Sequence, residues 1–151
     1  MDKLAYEGDS SAITLPSPAL AGETLDFSFS GIKTAALNYI NSETQKGTEI
    51  NRANMAASYT KKIVDAIVKK TGAAIDATGT QTLVLAGGVA ANSHLRSALE
   101  HLCKRRKVKF ITPPLNLCGD NAAMVAAAGY FEFINGNLAD TSLNASACDM
   151  M

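Results

Sequence analysis

A chain of 151 residues with 47% hydrophobic content is long enough for one core and too short for two ordinary domains. Lysine plus arginine and aspartate plus glutamate number 14 each, so the net charge is zero and any contact with nucleic acid must be local. The cysteines Cys103, Cys118 and Cys148 lack CxxC spacing, which argues against a disulfide framework or structural zinc and fits a reducing cytoplasm; with no export signal and no apolar run near the ~18 residues of a membrane span, no membrane role is expected.

The opening residues to Gly8 read as a helix end, followed by a β-leaning run from Ala12 to Leu15 closed by Pro16 and Pro18. Leu25, Phe27 and Phe29 alternate with Asp26 and Ser28, the period-two pattern of a half-buried strand. Ser30-Gly31 breaks it, and Ile32, Ala35, Ala36, Tyr39 and Ile40 follow at helical spacing. A polar loop over 44–51 leads to the longest helix, expected from about Asn51 to Thr78. Its apolar face includes Ala56, Tyr59, Ile63, Ala66, Ile67 and Ile75; Gly72 lies inside it at a cost of ~1 kcal/mol, and Gly79 is the stop signal. Leu83 to Leu85 form an apolar strand of the kind buried on both faces, running through Gly87-Gly88 into a helix over about 92–103. Val108 to Ile111 make another strand, Pro113 to Gly119 a loop, and 120–133 an apolar helix expected to be buried. The sequence divides into an α/β lobe over 1–137 and a polar tail over 138–151.

In such a lobe ligands approach the carboxyl ends of strands, which singles out three loops. Gly87 and Gly88 let backbone N–H groups reach a phosphate at a helix N-terminus, or simply make a tight turn that Asn92 caps; the spacing is neither GxGxxG nor Walker A. Asp120 is either a helix cap or a ligand aimed at a cation, and Asn121 could take either role. Cys118 is a soft ligand, a reactive thiol or a packed side chain. Ser28, Ser30, Gly31 and Lys33 form an anion cradle or a plain turn. His94 and His101 read as surface residues, and the basic run from Lys104 to Lys109 either meets RNA phosphates or faces a helix dipole.

Together LDFSFSGIKT (25–34), LVLAGGVAANSHLR (83–96) and CGDNAAMVAAAGY (118–130) resemble, in order and approximate spacing, the C-terminal half of the TsaD family, once called glycoprotease or O-sialoglycoprotein endopeptidase. The resemblance implies the C-terminal lobe of an actin-like ATPase fold (sugar kinase, Hsp70 and actin), helix-rich and incomplete relative to the family. It implies an acyltransferase that moves a threonylcarbamoyl group from threonylcarbamoyl-adenylate to N6 of a tRNA adenosine. Asn92 matches the substrate-binding asparagine of the family's GGVxAN motif, Gly87 and Gly88 flank the adenylate, and Asp120 matches a ligand of the active-site metal, iron or zinc. The family's HxxxH metal ligands and further substrate-binding residues have no counterpart here, and Met1 falls just after where its PGGP segment would end, which points to a fragment of a longer parent. The divalent metal is therefore expected to be lost, and affinity for an adenylate or an ATP/ADP-like nucleotide to be weak.

The implied partners of the parent are tRNA, a paralogous TsaB-type subunit and a small ATPase subunit. The family reading also requires the Gly88 corner and Asp120 to face one cavity. Two competing functions stand beside it. One is the metalloprotease of the older name, against which the absence of HExxH counts. The other is a non-catalytic piece that forms a homo-oligomer through apolar surface.

Overall fold

The computed structural model describes residues 1–18 and 24–144; Cys148 and the end of the polar tail lie outside them. The elements run α1 (Asp2–Ala5), α2 (Ser30–Gln45), α3 (Arg52–Thr78), β1 (Thr82–Val84), a 3-10 turn Gly88–Ala91, α4 (Ser93–Arg106), β2 (Lys109–Ile111), a 3-10 turn Leu115–Leu117 and α5 (Ala122–Ile134). The described residues fall into two compact units that divide between Cys118 and Gly119. The fold is helix-rich α/β.

The first unit is organised by α3. Asn51 caps it, its Oδ1 accepting from Asn54 N–H at 3.0 Å, and Gly79 ends it in the left-handed region at φ 65°. The N-terminal half of α3 (Met55, with Tyr59 and Ile63) packs against Ile13, Leu15, and Ile32 and Ala36 of α2. Ile32 is 1% exposed, so its burial contributes about 1.5–3 kcal/mol. The C-terminal half (Val64, Ile75, with Ile67 and Val68) packs against Leu95, Leu99, Leu102 and Cys103 of α4 and against Leu83 and Phe110. Gly72 has a reason to stay small: a Cβ there would meet the Arg106 guanidinium at 3.1 Å, and Arg106 reaches across to bind both Asp76 oxygens, at 2.9 and 2.8 Å.

β1 and β2 are parallel, with Leu83 opposite Phe110, and α4 is the crossover between them. The expectation of a strand buried on both faces is corrected: Leu83 and Phe110 pack on the helices, whereas Val84 is 63% exposed on the alternate face. Helices cover one side only, so burial follows the period-two alternation of a one-sided sheet.

Neither 12–15 nor 25–29 is a strand. Instead of a ladder, each segment finds side chains of α3. Ser58, 1% exposed, accepts from Ile13 N–H at 3.2 Å and donates to the Asp9 carbonyl at 3.4 Å. Lys70 donates to the carbonyls of Thr24, at 2.8 Å, and Asp26, and its ammonium lies 5.7 Å from the Phe27 ring centroid. The first segment still buries alternate residues, Ile13 and Leu15 at 7% and 3% exposure, whereas in the second Leu25, Phe27 and Phe29 stay exposed, so the half-buried face expected there is corrected as well.

In the second unit α5 is helical as expected but not buried: it has no buried residue, and Phe131 is 59% exposed. The apolar composition implied cover that the described residues do not supply. No helix among the described residues is long and apolar enough to cross a membrane.

Gly8 lies so close to α3 that a Cβ would sit 2.1 Å from the Ala53 carbonyl oxygen, a backbone atom with no rotamer to yield. Gly8→Ala is expected to destabilise the chain by about 1–3 kcal/mol, the range for overpacking. The measurement is a urea midpoint at constant m; an unmoved midpoint would mean that the segment does not dock on α3.

Candidate functional site

The glycine corner starts where the sheet ends. Leu85 N–H donates to the Ile111 carbonyl at 2.9 Å, the last rung of the pairing. Gly87 then takes φ 88°, ψ 174°, a conformation that is essentially glycine's alone, and the chain enters the Gly88–Ala91 turn, closed by Ala90 N–H on the Gly87 carbonyl at 2.9 Å. Neither Gly87 nor Gly88 would bring a Cβ within 4 Å of another group, so the corner opens to space. Gly87, Gly88 and Val89 are exposed, and their backbone N–H groups find no acceptor among the described residues. Successive free amides of this kind form an anion-binding concavity.

Asn92 caps α4, its Oδ1 accepting from Leu95 N–H at 2.9 Å. The same side chain keeps its Nδ2 donor without a partner among the described residues. The cap and ligand readings of Asn92 therefore use different atoms and are compatible.

The N-terminus of α4 itself is already occupied. Asp2 accepts from Ser93 N–H at 3.2 Å and from Ser93 Oγ at 2.8 Å, and Tyr6 Oη lies 2.9 Å from the same hydroxyl. A carboxylate at a helix N-terminus is favourable, and here it is supplied by the chain. The helix-end charge that the sequence reading offered to a ligand is thus met internally, and the free amides of the preceding turn are what remains. His94 differs from a surface histidine: it stacks on Tyr6 with ring centroids 3.9 Å apart, and its Nε2 is shut off from water without a partner among the described residues.

Ser30, Gly31 and Lys33 lie in the first turn of α2, whose N-cap Phe29 provides no side-chain cap. All three are exposed, and Gly31 would bring no Cβ within 4 Å of anything. This corner belongs to the core cluster of α2, the glycine corner adjoins the cluster of α4 and the sheet, and no hydrogen bond or ion pair among the described residues joins them. None of these residues lines the cavity of about 800 Å3 between α1, the end of α2 and the start of α3, whose walls include Leu4, Ile40, Ile50, Arg52 and Met55.

In the second unit Asn121, not Asp120, is the α5 cap: its Oδ1 accepts from Met124 N–H at 3.0 Å. Asp120 is exposed, and its carboxylate has no partner among the described residues. No group of three or more His, Cys, Asp or Glu among the described residues could hold a metal ion, so Asp120 does not make a metal site with them. Gly88 belongs to the first unit and Asp120 to the second.

The basic run is partly spent on structure. Lys104 pairs with Glu100 at 2.8 Å and Arg106 with Asp76, whose carboxyl is held below its ordinary range by the guanidinium hydrogen bonds; Arg105, Lys107 and Lys109 are exposed. Burial pushes the Cys103 thiol up, which disfavours its thiolate. Arg96 drew no attention in the sequence. Its Nε donates to the Ala90 carbonyl, and its Nη2 to the Pro113 carbonyl at 2.7 Å and Cys118 Sγ at 2.9 Å. Its only local signal was its place four residues after the Asn92 cap.

A family profile described as TsaD, tRNA N6-adenosine threonylcarbamoyltransferase, matches residues 1–127. The tRNA N6-adenosine threonylcarbamoyltransferase of Clostridium botulinum (strain 657 / Type Ba4) is 47% identical over 145 residues, covering 96% of this chain and 43% of that protein. Those of Desulfitobacterium hafniense (strain Y51), at 46% identity, and Clostridium novyi (strain NT), at 44%, match 96% of this chain and 42% and 43% of their own lengths. The chain thus spans less than half the length of these relatives.

Asn92→Ala is expected to lower stability by about 1 kcal/mol through loss of the cap, and Asn92→Asp, which keeps the acceptor, by no more than a few tenths. Urea unfolding of both variants checks this. Equal stability of Asn92→Ala and the parent chain would remove the cap assignment.

Proposed function

The chain belongs to the TsaD family of tRNA N6-adenosine threonylcarbamoyltransferases, and from that premise we propose that it contributes one side of an adenylate site. The observation that carries this reading is the set of free amides at Gly87, Gly88 and Val89, next to an Asn92 whose Nδ2 is also uncommitted. These are donors only. They suit the phosphate of a nucleotide such as ATP, ADP or AMP, or of threonylcarbamoyl-adenylate. Ser30, Gly31 and Lys33 make a second, separate anion-facing corner, and its exposed ammonium suits another phosphate or the RNA backbone.

In the parent, the N6 amine of the tRNA adenosine attacks the carbamoyl carbonyl of the adenylate. The new C–N bond forms as the C–O bond to phosphate breaks, AMP leaves with the electron pair, and the amine loses a proton. The donors of the glycine corner would hold the charge on the phosphate and on the departing AMP. No residue of this chain is assigned as the base. Asp120 would supply a single carboxylate to an iron or zinc ion whose other ligands come from the rest of the parent. The described residues do not by themselves build that site.

The same reading places the chain as part of the C-terminal lobe of an actin-like ATPase fold, over 1–137 with a polar tail, in a cytoplasmic enzyme. That enzyme would work with tRNA, a TsaB-type subunit and a small ATPase subunit. A second reading has its own observation. The exposed apolar α5, with Val125, Tyr130, Phe131 and Phe133 each more than half exposed, favours self-association of the isolated chain.

Calorimetric titration with AMP tests the first reading. Asn92→Asp keeps the cap but replaces a donor with a negative charge, so its affinity is expected to fall by about tenfold or more at unchanged stability; equal affinity would sink the assignment. Threonylcarbamoyl transfer to tRNA is expected only when the chain is combined with the remaining length of a relative and its partner subunits, and peptide cleavage without tRNA modification would favour the protease instead.

Sedimentation tests the second reading. The chain is expected to show a concentration-dependent rise in mass that Phe131→Glu suppresses, and a monomer at all concentrations would dismiss it.

A further inference from the structure

Arg96 is a cation whose described hydrogen-bond acceptors are all neutral: the carbonyls of Ala90 and Pro113 and the sulfur of Cys118. No carboxylate pairs with it among the described residues. It is half-buried, and Cys118 is 3% exposed beneath the same guanidinium. A charge held this way costs desolvation that neutral acceptors offset only in part, so an ion pair elsewhere would have been the easier fate for the side chain. What the arrangement achieves is geometric. Ala90 lies in the turn after the glycines and Pro113 begins the next loop, and the planar fork spans both, which a single ammonium does not do.

We propose that Arg96 is a positioning residue: its guanidinium locks the Gly87–Ala91 turn to the Pro113–Cys118 loop, so that the free amides of the glycine corner are held in a fixed, anion-ready arrangement. The lock rests on the observed hydrogen bonds, and its role toward a ligand rests on the adenylate reading. An unbalanced positive charge one hydrogen bond away from the turn adds to the attraction of the corner for phosphate. Arg96 itself is not assigned any contact with the reacting atoms.

The test compares the full chain with Arg96→Ala and Arg96→Lys by hydrogen exchange, site-resolved alkylation of cysteines and AMP titration. In Arg96→Ala, exchange of the hydrogen-bonded amides of both segments, Ala90 and Asn92 in the first and Leu117 and Cys118 in the second, is expected to rise about tenfold or more while α3 stays protected. Cys118 is expected to alkylate about tenfold faster while Cys103, in the core, does not. Arg96→Lys should restore at most one of the two segments. AMP affinity should fall by about tenfold in Arg96→Ala.

A response in only one segment, a loss of protection that includes α3, or full rescue by lysine would each overturn the lock. If the unsubstituted chain binds AMP and Arg96→Ala binds it equally well, the positioning role falls although the lock stands. If the unsubstituted chain does not bind AMP, the adenylate reading fails, and a joint response of the two segments still upholds the lock.

Discussion

Burial along α3 is the constraint from which the first unit follows. A helix of 27 residues that presented a single stripe to a single partner would leave much of its length in water; this one gives its first half to α2 and the Ile13–Leu15 segment and its second half to α4 and the sheet. The polar side chains on α3 do the work that a third and fourth strand would do in a larger sheet. Asn54 accepts from Asp9 N–H at 2.9 Å, Ser58 serves Asp9 and Ile13, and Lys70 gathers the carbonyls of Thr24 and Asp26. Irregular chain can then lie against a helix without orphaned backbone groups.

The same accounting explains how the end of α4 is shared. A helix begins with four N–H groups that lack intrahelical partners. Here Asn92 takes Leu95 N–H, Asp2 takes Ser93 N–H and the Val89 carbonyl takes Asn92 N–H, so three of the four are met by the chain itself. The donors that remain lie one step earlier, in a turn that exists because Gly87 can hold φ 88°. The cap thereby draws on none of the amides of Gly87, Gly88 and Val89, and at Asn92 itself it uses Oδ1 alone.

Much of this was legible in the sequence, and the misses have physical causes. The bounds of α3 were readable because capping chemistry is local: Asn51 and Gly79 act through bonds to residues three or four positions away. The strand expected at Leu25–Phe29 failed because a ladder needs a neighbour, and no local pattern says whether one exists. Asp120 and Asn121 are both competent caps, and a one-residue choice between them depends on backbone geometry at the helix start rather than on composition. Arg96 was illegible for another reason. Its acceptors are backbone carbonyls and a thiol, groups that leave no charge pattern for a reader to pair it with.

The glycine corner was legible as a location and as a place where backbone N–H groups can be approached, but the helix end was expected to add its charge to the attraction. Asp2 lies 91 positions from Ser93, and no local reading anticipates that a carboxylate so distant would occupy the helix end. With the dipole satisfied, the attraction available to a phosphate must come from discrete amides and from the unpaired guanidinium behind them. That is a weaker but more directional field than a free helix end, because individual N–H groups fix where an oxygen sits whereas a dipole rewards any negative charge nearby. On the adenylate reading proposed above, such a corner would orient a phosphate rather than merely attract it.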